Sequence, residues 1–317
     1  MDTPSRSVND RHGHLLAEIE AARSRPSSDA VATLGAALDT AARDESKEQA
    51  ESLDRAVLTV LKDAPHRDRI LERLDLETLA ELAARIAKRP AREAAWDLLD
   101  LLRRPAVLRR IDAAGEVDAW AGRILSLIDM SHLTMATLLH RRAEEYGAKV
   151  LFEIPKAGHA RSVTWRQTAA RVDALARGLI AIAAQGTPRV AIISENRFEM
   201  ALGDLACQAA GLVSVMIPAQ ATDNDVLFML RQSGAGLAIA GSRETLATLR
   251  RVAEGLSQPT TLVAMDAGLS GGGVLALDAI AARAGETPIA ELERRRLAAR
   301  SDDLTTIMYT SGTTGTP

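Results

Sequence analysis

The chain of 317 residues has a single cysteine, Cys207. An internal disulfide is therefore excluded, and a reducing compartment fits. Cys207 falls within a predicted helix, where a buried apolar thiol is favoured over a nucleophile. Excess charge is lacking too. Lys and Arg number 39 against 42 Asp and Glu, a formal net charge of -3, which argues against generic binding to nucleic acid or to an anionic membrane. No apolar run is suited to span a membrane. The best stretch, Met200 to Ile217, is interrupted by Asp204 and Gln208 and reads as a helix followed by a strand. Residues 1–11 are polar and carry no signal-peptide core. The expected location is cytoplasmic, with peripheral membrane contact left open. His12, His14 and His66 stand apart from any carboxylate or cysteine at ligand spacing, so no metal site is expected.

What is present is ordinary globular composition, 47% hydrophobic and 26% charged, in a chain whose length fits two domains. Residues 1–130 read as helix after helix. Apolar stripes at spacings of three and four run through Val31, Leu34 and Leu38, and then Leu53, Val57, Val60 and Leu61, which end before Pro65. Others follow at Ile70, Leu71 and Leu74, at Leu79, Leu82, Ala83 and Ile86 up to Pro90, at Leu98, Leu101 and Leu102 before Pro105, and at Trp120, Ile124 and Leu127. A loose likeness links Leu58–Leu74 with Leu98–Ile111, each with a proline break before an apolar-Arg cluster. These helices carry no chemical constellation beyond packing. A plain bundle is preferred to a docking module for a partner protein.

From residue 131 the period changes. Val150–Ile154 and Val163–Trp165 flank a polar turn through Gly158 and predict a β-hairpin. Thr164 and Gln167 form a capping box that opens a helix bearing Val172, Leu175, Leu179 and Ile180, ended by Gly186 and Pro188. Short apolar strands then alternate with helices. The strands are Val190–Ile193, Leu212–Ile217, Leu237–Ala240 and Thr261–Met265; the helices begin near Arg197, Thr222 and Ser242 and end at Gly211, Gly234 and Gly255. This alternation predicts a parallel sheet. A dinucleotide-binding fold is disfavoured. The turn after the first of these strands is Ser194-Glu195-Asn196, without G-x-G-x-x-G, and the glycine-dense stretch Gly268–Gly273 precedes no helix start at the required spacing.

The last nine residues, Tyr309-Thr310-Ser311-Gly312-Thr313-Thr314-Gly315-Thr316-Pro317, form a Ser/Thr/Gly-rich loop leaving an apolar strand. Such a loop is suited to phosphate, because glycines permit close backbone approach while hydroxyls and free N–H groups donate. It is not a Walker A loop: Gly312 and Gly315 are too close, and no Lys-Ser or Lys-Thr follows.

This stretch resembles the phosphate-binding signature of the AMP-forming acyl-adenylating enzymes, which include acyl-CoA synthetases, luciferases and the adenylation domains of peptide synthetases. Every position present matches the family pattern Tyr/Phe-Thr-Ser-Gly-Thr/Ser-Thr-Gly-x-Pro. From about Met135 onward, Arg189–Arg197, Asp204-Leu205-Ala206, Ala209-Ala210-Gly211, Pro218, Ser233-Gly234-Ala235 and Asp303–Met308 are similar to long-chain acyl-CoA synthetases. Ala219–Thr222 departs from them, lacking the aromatic usual after the proline.

The resemblance implies a helical region, 1–130, followed by the first part of a mixed, mainly parallel α/β adenylation domain, 131–317. It implies carboxylate activation by ATP with Mg2+, then transfer to coenzyme A, with a fatty acid as the leading substrate and aryl or amino acids as alternatives. Thr310, Ser311, Gly312, Thr313, Thr314 and Gly315 are the implied ATP phosphate-binding residues, and no catalytic residue is identified. The family's next residue is Lys, and its ribose, Mg2+ and adenine contacts follow the loop. These 317 residues are thus expected to be the front part of such an enzyme and not to turn over alone. The rival expectation is a non-catalytic scaffold whose helical region docks a partner.

Overall fold

The computed structural model describes residues 5–25, 27–43, 47–88, 92–156, 159–183 and 188–309. The chain divides into two compact units, Met1–Leu133 and Thr134–Pro317.

The first unit is helical among its described residues. Its helices are α1 (Ser5–Ala22), α2 (Ser27–Arg43), α3 (Lys47–Asp63), α4 (Arg67–Leu71), α5 (Leu76–Ala87), α6 (Arg92–Leu102), α7 (Pro105–Ala113) and α8 (Val117–Ser131). The stripes expected from the sequence turn inward. Leu34, Leu38, Leu53, Val57, Leu61, Ile70, Leu79, Leu82, Leu98, Trp120 and Leu127 share one core, each buried aliphatic side chain contributing about 1.5–3 kcal/mol. Pro105 occupies the first turn of α7, where its missing N–H costs nothing; Pro90 lies outside the described residues. A short helix thus follows a proline twice, α4 after Pro65 and α7 at Pro105, and α4 packs on α7 as α3 packs on α6. One charged pair is sealed into this bundle. Asp54, 2% exposed, accepts from Arg85 Nη2 at 2.9 Å and Nε at 3.3 Å.

The second unit begins with α9 (Met135–Tyr146) and the hairpin β1 (Val150–Lys156) and β2 (His159–Thr164). Its turn at Gly158 lies outside the described residues. Trp165, expected to close the second hairpin strand, instead starts α10 (Trp165–Ala183). The reason is the capping box: Thr164 N–H donates to Gln167 Oε1 at 3.0 Å and Gln167 N–H to Thr164 Oγ at 3.2 Å, so the helix begins immediately after Thr164. Gly186 lies outside the described residues.

Then come β3 (Arg189–Ile193), α11 (Phe198–Ala210), β4 (Val213–Ile217), α12 (Asp223–Ser233), β5 (Leu237–Ala240), α13 (Arg243–Ala253), β6 (Thr261–Ala264), β7 (Leu275–Ala276), α14 (Leu277–Ala282), α15 (Ile289–Ala298) and β8 (Thr306–Met308). Six strands form one sheet in the order β7-β6-β5-β3-β4-β8, and every pair is parallel. Gly211 and Gly234 end α11 and α12 at φ 69° and 64°, the left-handed conformation that glycine adopts without penalty.

Both faces of the sheet are covered. Val190, Ile192, Ile239 and Val263 pack with α9, α10, α11 and α14. The alternate positions Ala191, Ile193, Val215, Ile217, Ala238, Ala240 and Ala264 pack with α12 and α13. Covered faces explain why these strands read as continuous apolar runs. Asp173 of α10 ties the first face together, lying 2.9 Å from His140 Nε2 of α9 and accepting from Arg296 Nη2 of α15 at 2.8 Å.

Candidate functional site

In a parallel sheet, ligands bind beyond the carboxyl ends of the strands, where neighbouring connections diverge to opposite faces. Here β3 leads to α11 on one face, while its neighbours β4 and β5 lead to α12 and α13 on the other. The carboxyl end of β3 is therefore the switch point. Around it gather Ser194–Arg197 after β3, Gln220 after β4, Gly241 after β5, Asp266 after β6 and Tyr309 after β8.

Arg197 closes the β5/β6 side of this crevice. Its Nη1 donates to Gly241 O at 2.6 Å, its Nη2 to Asp266 Oδ1 at 2.8 Å and its Nε to Glu199 Oε2 at 2.8 Å. The two carboxylates, Asp266 foremost and then Glu199, push its pKa further above the ordinary range, and Arg197 in turn pulls the Asp266 carboxyl below the usual range. A guanidinium so engaged is a clamp between loops, with its donors already in use rather than aimed at a phosphate. Gly241 allows the loops to meet: a Cβ there would stand 2.1 Å from Ser194 Oγ and 2.9 Å from Ser194 Cα. On the other side, Gln220 Nε2 donates to Glu195 Oε1 and joins the β3 and β4 loops.

The candidate phosphate loop leaves the carboxyl end of β8, beside β4. Thr310, Ser311, Gly312, Thr313, Thr314 and Gly315, with Pro317, lie outside the described residues; Tyr309, which opens the loop, is within them. The Tyr309 hydroxyl donates to Met229 O of α12 at 3.3 Å. Burial raises its pKa, against the pull of Arg189. Below Tyr309, Ser214 of β4 is fully buried. Its hydroxyl lies 2.6 Å from Asp204 Oδ1 of α11 and 3.0 Å from Thr306 Oγ of β8.

The other sequence candidates separate from this site. Cys207 is fully buried in α11, and burial, then the charge of Asp204, push its thiol far up, which makes it a packing residue rather than a nucleophile. Gly271, Gly272 and Gly273 have φ of 109°, 57° and 85° and make a tight turn closed by Gly271 N–H to Val274 O at 2.9 Å. That turn precedes β7 instead of following a strand into a helix. Among the described residues no group of three or more His, Cys, Asp or Glu could hold a metal ion, and no helix is long and apolar enough to cross a membrane.

Arg197, Gly241, Asp266 and Ser214 carry no local motif that marks these roles. Asp204 did leave a signal, a carboxylate interrupting an apolar helix with Gln208 four residues on.

Residues 139–317 match the model of the AMP-binding enzyme family. The chain belongs to this family. It is 33% identical over 186 residues to the long-chain-fatty-acid–CoA ligase FadD15 of Mycobacterium bovis and 32% identical to that of Mycobacterium tuberculosis. Each match covers 59% of this chain and 30% of the relative. The chain thus spans about 30% of the length of these curated relatives. Among solved structures, it is similar to the anthranilate CoA ligase AuaEII in complex with anthranoyl-AMP (18% identity, TM-score 0.47, 58% of this chain and 32% of that one). It is also similar to a red-emitting luciferase from Phrixothrix hirtus (18% identity, TM-score 0.46, 58% and 44%).

Proposed function

We propose that this chain supplies the nucleotide-phosphate grip of an ATP-dependent acid–thiol ligase, with a fatty acid as the carboxylate. The observation that carries the reading is the signature Tyr309–Pro317 at the carboxyl end of β8, in a chain of the AMP-binding family. The identity to long-chain-fatty-acid–CoA ligases supports the choice of acyl group.

In this reaction a carboxylate oxygen attacks the α-phosphorus of ATP. The bond to the bridging oxygen breaks, and pyrophosphate leaves with that electron pair. The thiol of coenzyme A, giving up its proton, then attacks the acyl carbon and AMP departs. The difficulty is charge, because an anion must approach a polyanion. A loop of hydroxyls and free N–H groups around the β- and γ-phosphates stabilises the leaving pyrophosphate and holds the chain of phosphates in line. Thr310, Ser311, Thr313 and Thr314 would donate through hydroxyls, and Gly312 and Gly315 through the backbone. Mg2+ enters with the nucleotide; among the described residues no group of three or more His, Cys, Asp or Glu could hold a resident metal ion.

The test is calorimetric titration of the 317-residue chain with MgATP, beside the triple variant S311A/T313A/T314A. Each lost hydrogen bond to a charged group is worth about 1.5–3 kcal/mol, so affinity should fall by at least ~100-fold. Equal affinity for the two proteins refutes the assignment.

A further inference from the structure

We infer that Arg161 and Arg171 form a binding site for the phosphate group of a soluble phosphate ester, gathered on the ring of Phe198. The site is separate from the function proposed above and does not rest on it. Arg161 stands on the core-facing side of the β1–β2 hairpin. It lies opposite Ile154 and two residues from buried Val163, which lies opposite Phe152; residues two apart on a strand share a face. Its guanidinium carbon is 5.8 Å from the centre of the Phe198 ring, and that of Arg171, on α10, is 5.6 Å from the same centre. Phe198, the first residue of α11, is 6% exposed and meets Phe152 edge-on at 5.2 Å. Two cations thus share one aromatic platform, which attracts a guanidinium but neutralises neither.

Among the described residues neither arginine has a hydrogen-bond or ion-pair partner, and Arg161 Nε is buried without an acceptor. The surrounding chain offers them no carboxylate. Glu153 pairs with Ser162, on the other face of the hairpin. The positions three and four residues from Arg171 along α10 are Gln167, Thr168, Ala174 and Leu175. Asp173 is taken by His140 and Arg296, and Glu199 by Arg197 Nε. Buried donors are almost always satisfied, so one left open beside a second unpaired cation marks the place of an anion. Charge decides which anion. A carboxylate carries one charge and is used up by one guanidinium fork. A phosphate ester carries close to two charges and three acceptor oxygens, enough for two forks. Arg161, partly buried on the hairpin, supplies the fixed fork, and exposed Arg171 closes on the ligand. A lipid headgroup fits less well. The apolar residues around the pair, Phe152, Ile154 and Phe198, are buried or partly buried, so they are not free to enter a bilayer.

The test uses the full, isotope-labelled chain with inorganic phosphate as the probe, at constant ionic strength. The arginine Nε–Hε signals are followed by NMR, and that of Arg161 is identified by its loss in R161Q. On titration this signal should shift saturably, with half-saturation in the millimolar range. R171Q, at an exposed position where folding is not at stake, should raise the half-saturation concentration about tenfold, the value of one charge-assisted hydrogen bond. R231Q on α12 removes an equal charge elsewhere and should leave it within about twofold of wild type. Acetate, with a single charge, should bind at least about tenfold more weakly than phosphate. Vesicles of phosphatidic acid should sediment no more protein than vesicles of phosphatidylcholine. An Arg161 signal that stays still, or that drifts without saturating, overturns the site. Half-saturation unchanged in R171Q overturns the pairing of the two arginines, and an equal loss in R231Q reduces the effect to overall charge and overturns it too. Acetate binding as well as phosphate overturns the choice of phosphate ester. Sedimentation with phosphatidic acid that R161Q and R171Q abolish overturns the soluble ligand in favour of a lipid headgroup.

Discussion

Replacing Gly241 by alanine tests the close approach that builds the switch-point loops. Gly241 is not among the positive-φ glycines, so alanine meets no backbone penalty and any cost comes from space. The added Cβ would stand 2.1 Å from Ser194 Oγ, 2.6 Å from Ser194 Cβ and 2.9 Å from Ser194 Cα. Turning the Ser194 side chain relieves the first clash only, at the expense of its hydrogen bond to Glu195 O at 2.8 Å. The third clash is with the main chain, which no rotamer can move. Carbon atoms rest at about 3.5–4.0 Å, so the β5 loop must retreat by roughly 0.6–1.1 Å. That retreat lengthens the 2.6 Å bond from Arg197 Nη1 to Gly241 O. Overpacking of this kind costs about 1–3 kcal/mol. In a unit the size of Thr134–Pro317, this lowers the melting temperature by roughly 2–12 °C. The assay is thermal and urea unfolding of wild type, G241A, S194G and S194G/G241A. Removing the Ser194 side chain relieves the clashes with Oγ and Cβ and leaves the one with Cα, so it should rescue part of the loss, less the ~0.5–1 kcal/mol that a new glycine costs, and the cycle should show coupling. A G241A protein as stable as wild type, or losses that simply add, would refute the reasoning.

Three further outcomes are expected. In the helical unit, R85M removes the bidentate partner of buried Asp54 and should cost about 3–5 kcal/mol in urea unfolding. D54L/R85M should recover most of that loss; a double variant no better than the single one counts against the pair. G178A on α10 would put a Cβ 1.9 Å from Ile280 O, a backbone atom of α14. It should therefore destabilise by more than the ~1 kcal/mol that alanine gains in a helix, read as a lower melting temperature. Glu291 has its carboxyl pushed down to about 2 by Arg294 and then Arg295. Because its folded pKa is depressed below the ordinary 4.5, its contribution is complete above that value and fades as pH falls toward about 2. Carbon-detected NMR titration should place its midpoint well below that of E291 in a short peptide, and an unshifted midpoint would refute the pairing with the two arginines.

Legibility followed distance along the chain. The caps at Thr164–Gln167 and Thr222–Asp225 span three residues, and a helix start depends on little else, so their residue types announce them. The alternation of β3, α11, β4, α12, β5 and α13 was readable for a similar reason, since strands covered on both faces are apolar throughout. Other elements were too short or too polar to show a period. β7 has two residues and α14 six, while α15 buries only Leu292 and Arg296. The first helix, α1, likewise opens in the polar stretch that gave no apolar stripe. The partners of the site residues were out of reach altogether. Arg197 meets Asp266 across 69 residues and Ser214 meets Thr306 across 92.

For the candidate site the division is similar. The loop Thr310–Gly315 is marked by residue type and order alone, because its chemistry belongs to its own N–H and hydroxyl groups. Its residues imply phosphate without reference to any distant partner. The strand that carries the loop, the neighbour of that strand and the hydrogen bonds beneath it were decided by the sheet order β7-β6-β5-β3-β4-β8. That order puts β8 beside β4 and makes a serine in β4 the link between an aspartate on a helix and a threonine in β8. Local conformational preferences extend over a few residues, so they can specify a cap, a covered strand or a phosphate-binding loop. Which strands become neighbours depends on how all the apolar faces are buried together, and that is settled only when the chain has folded.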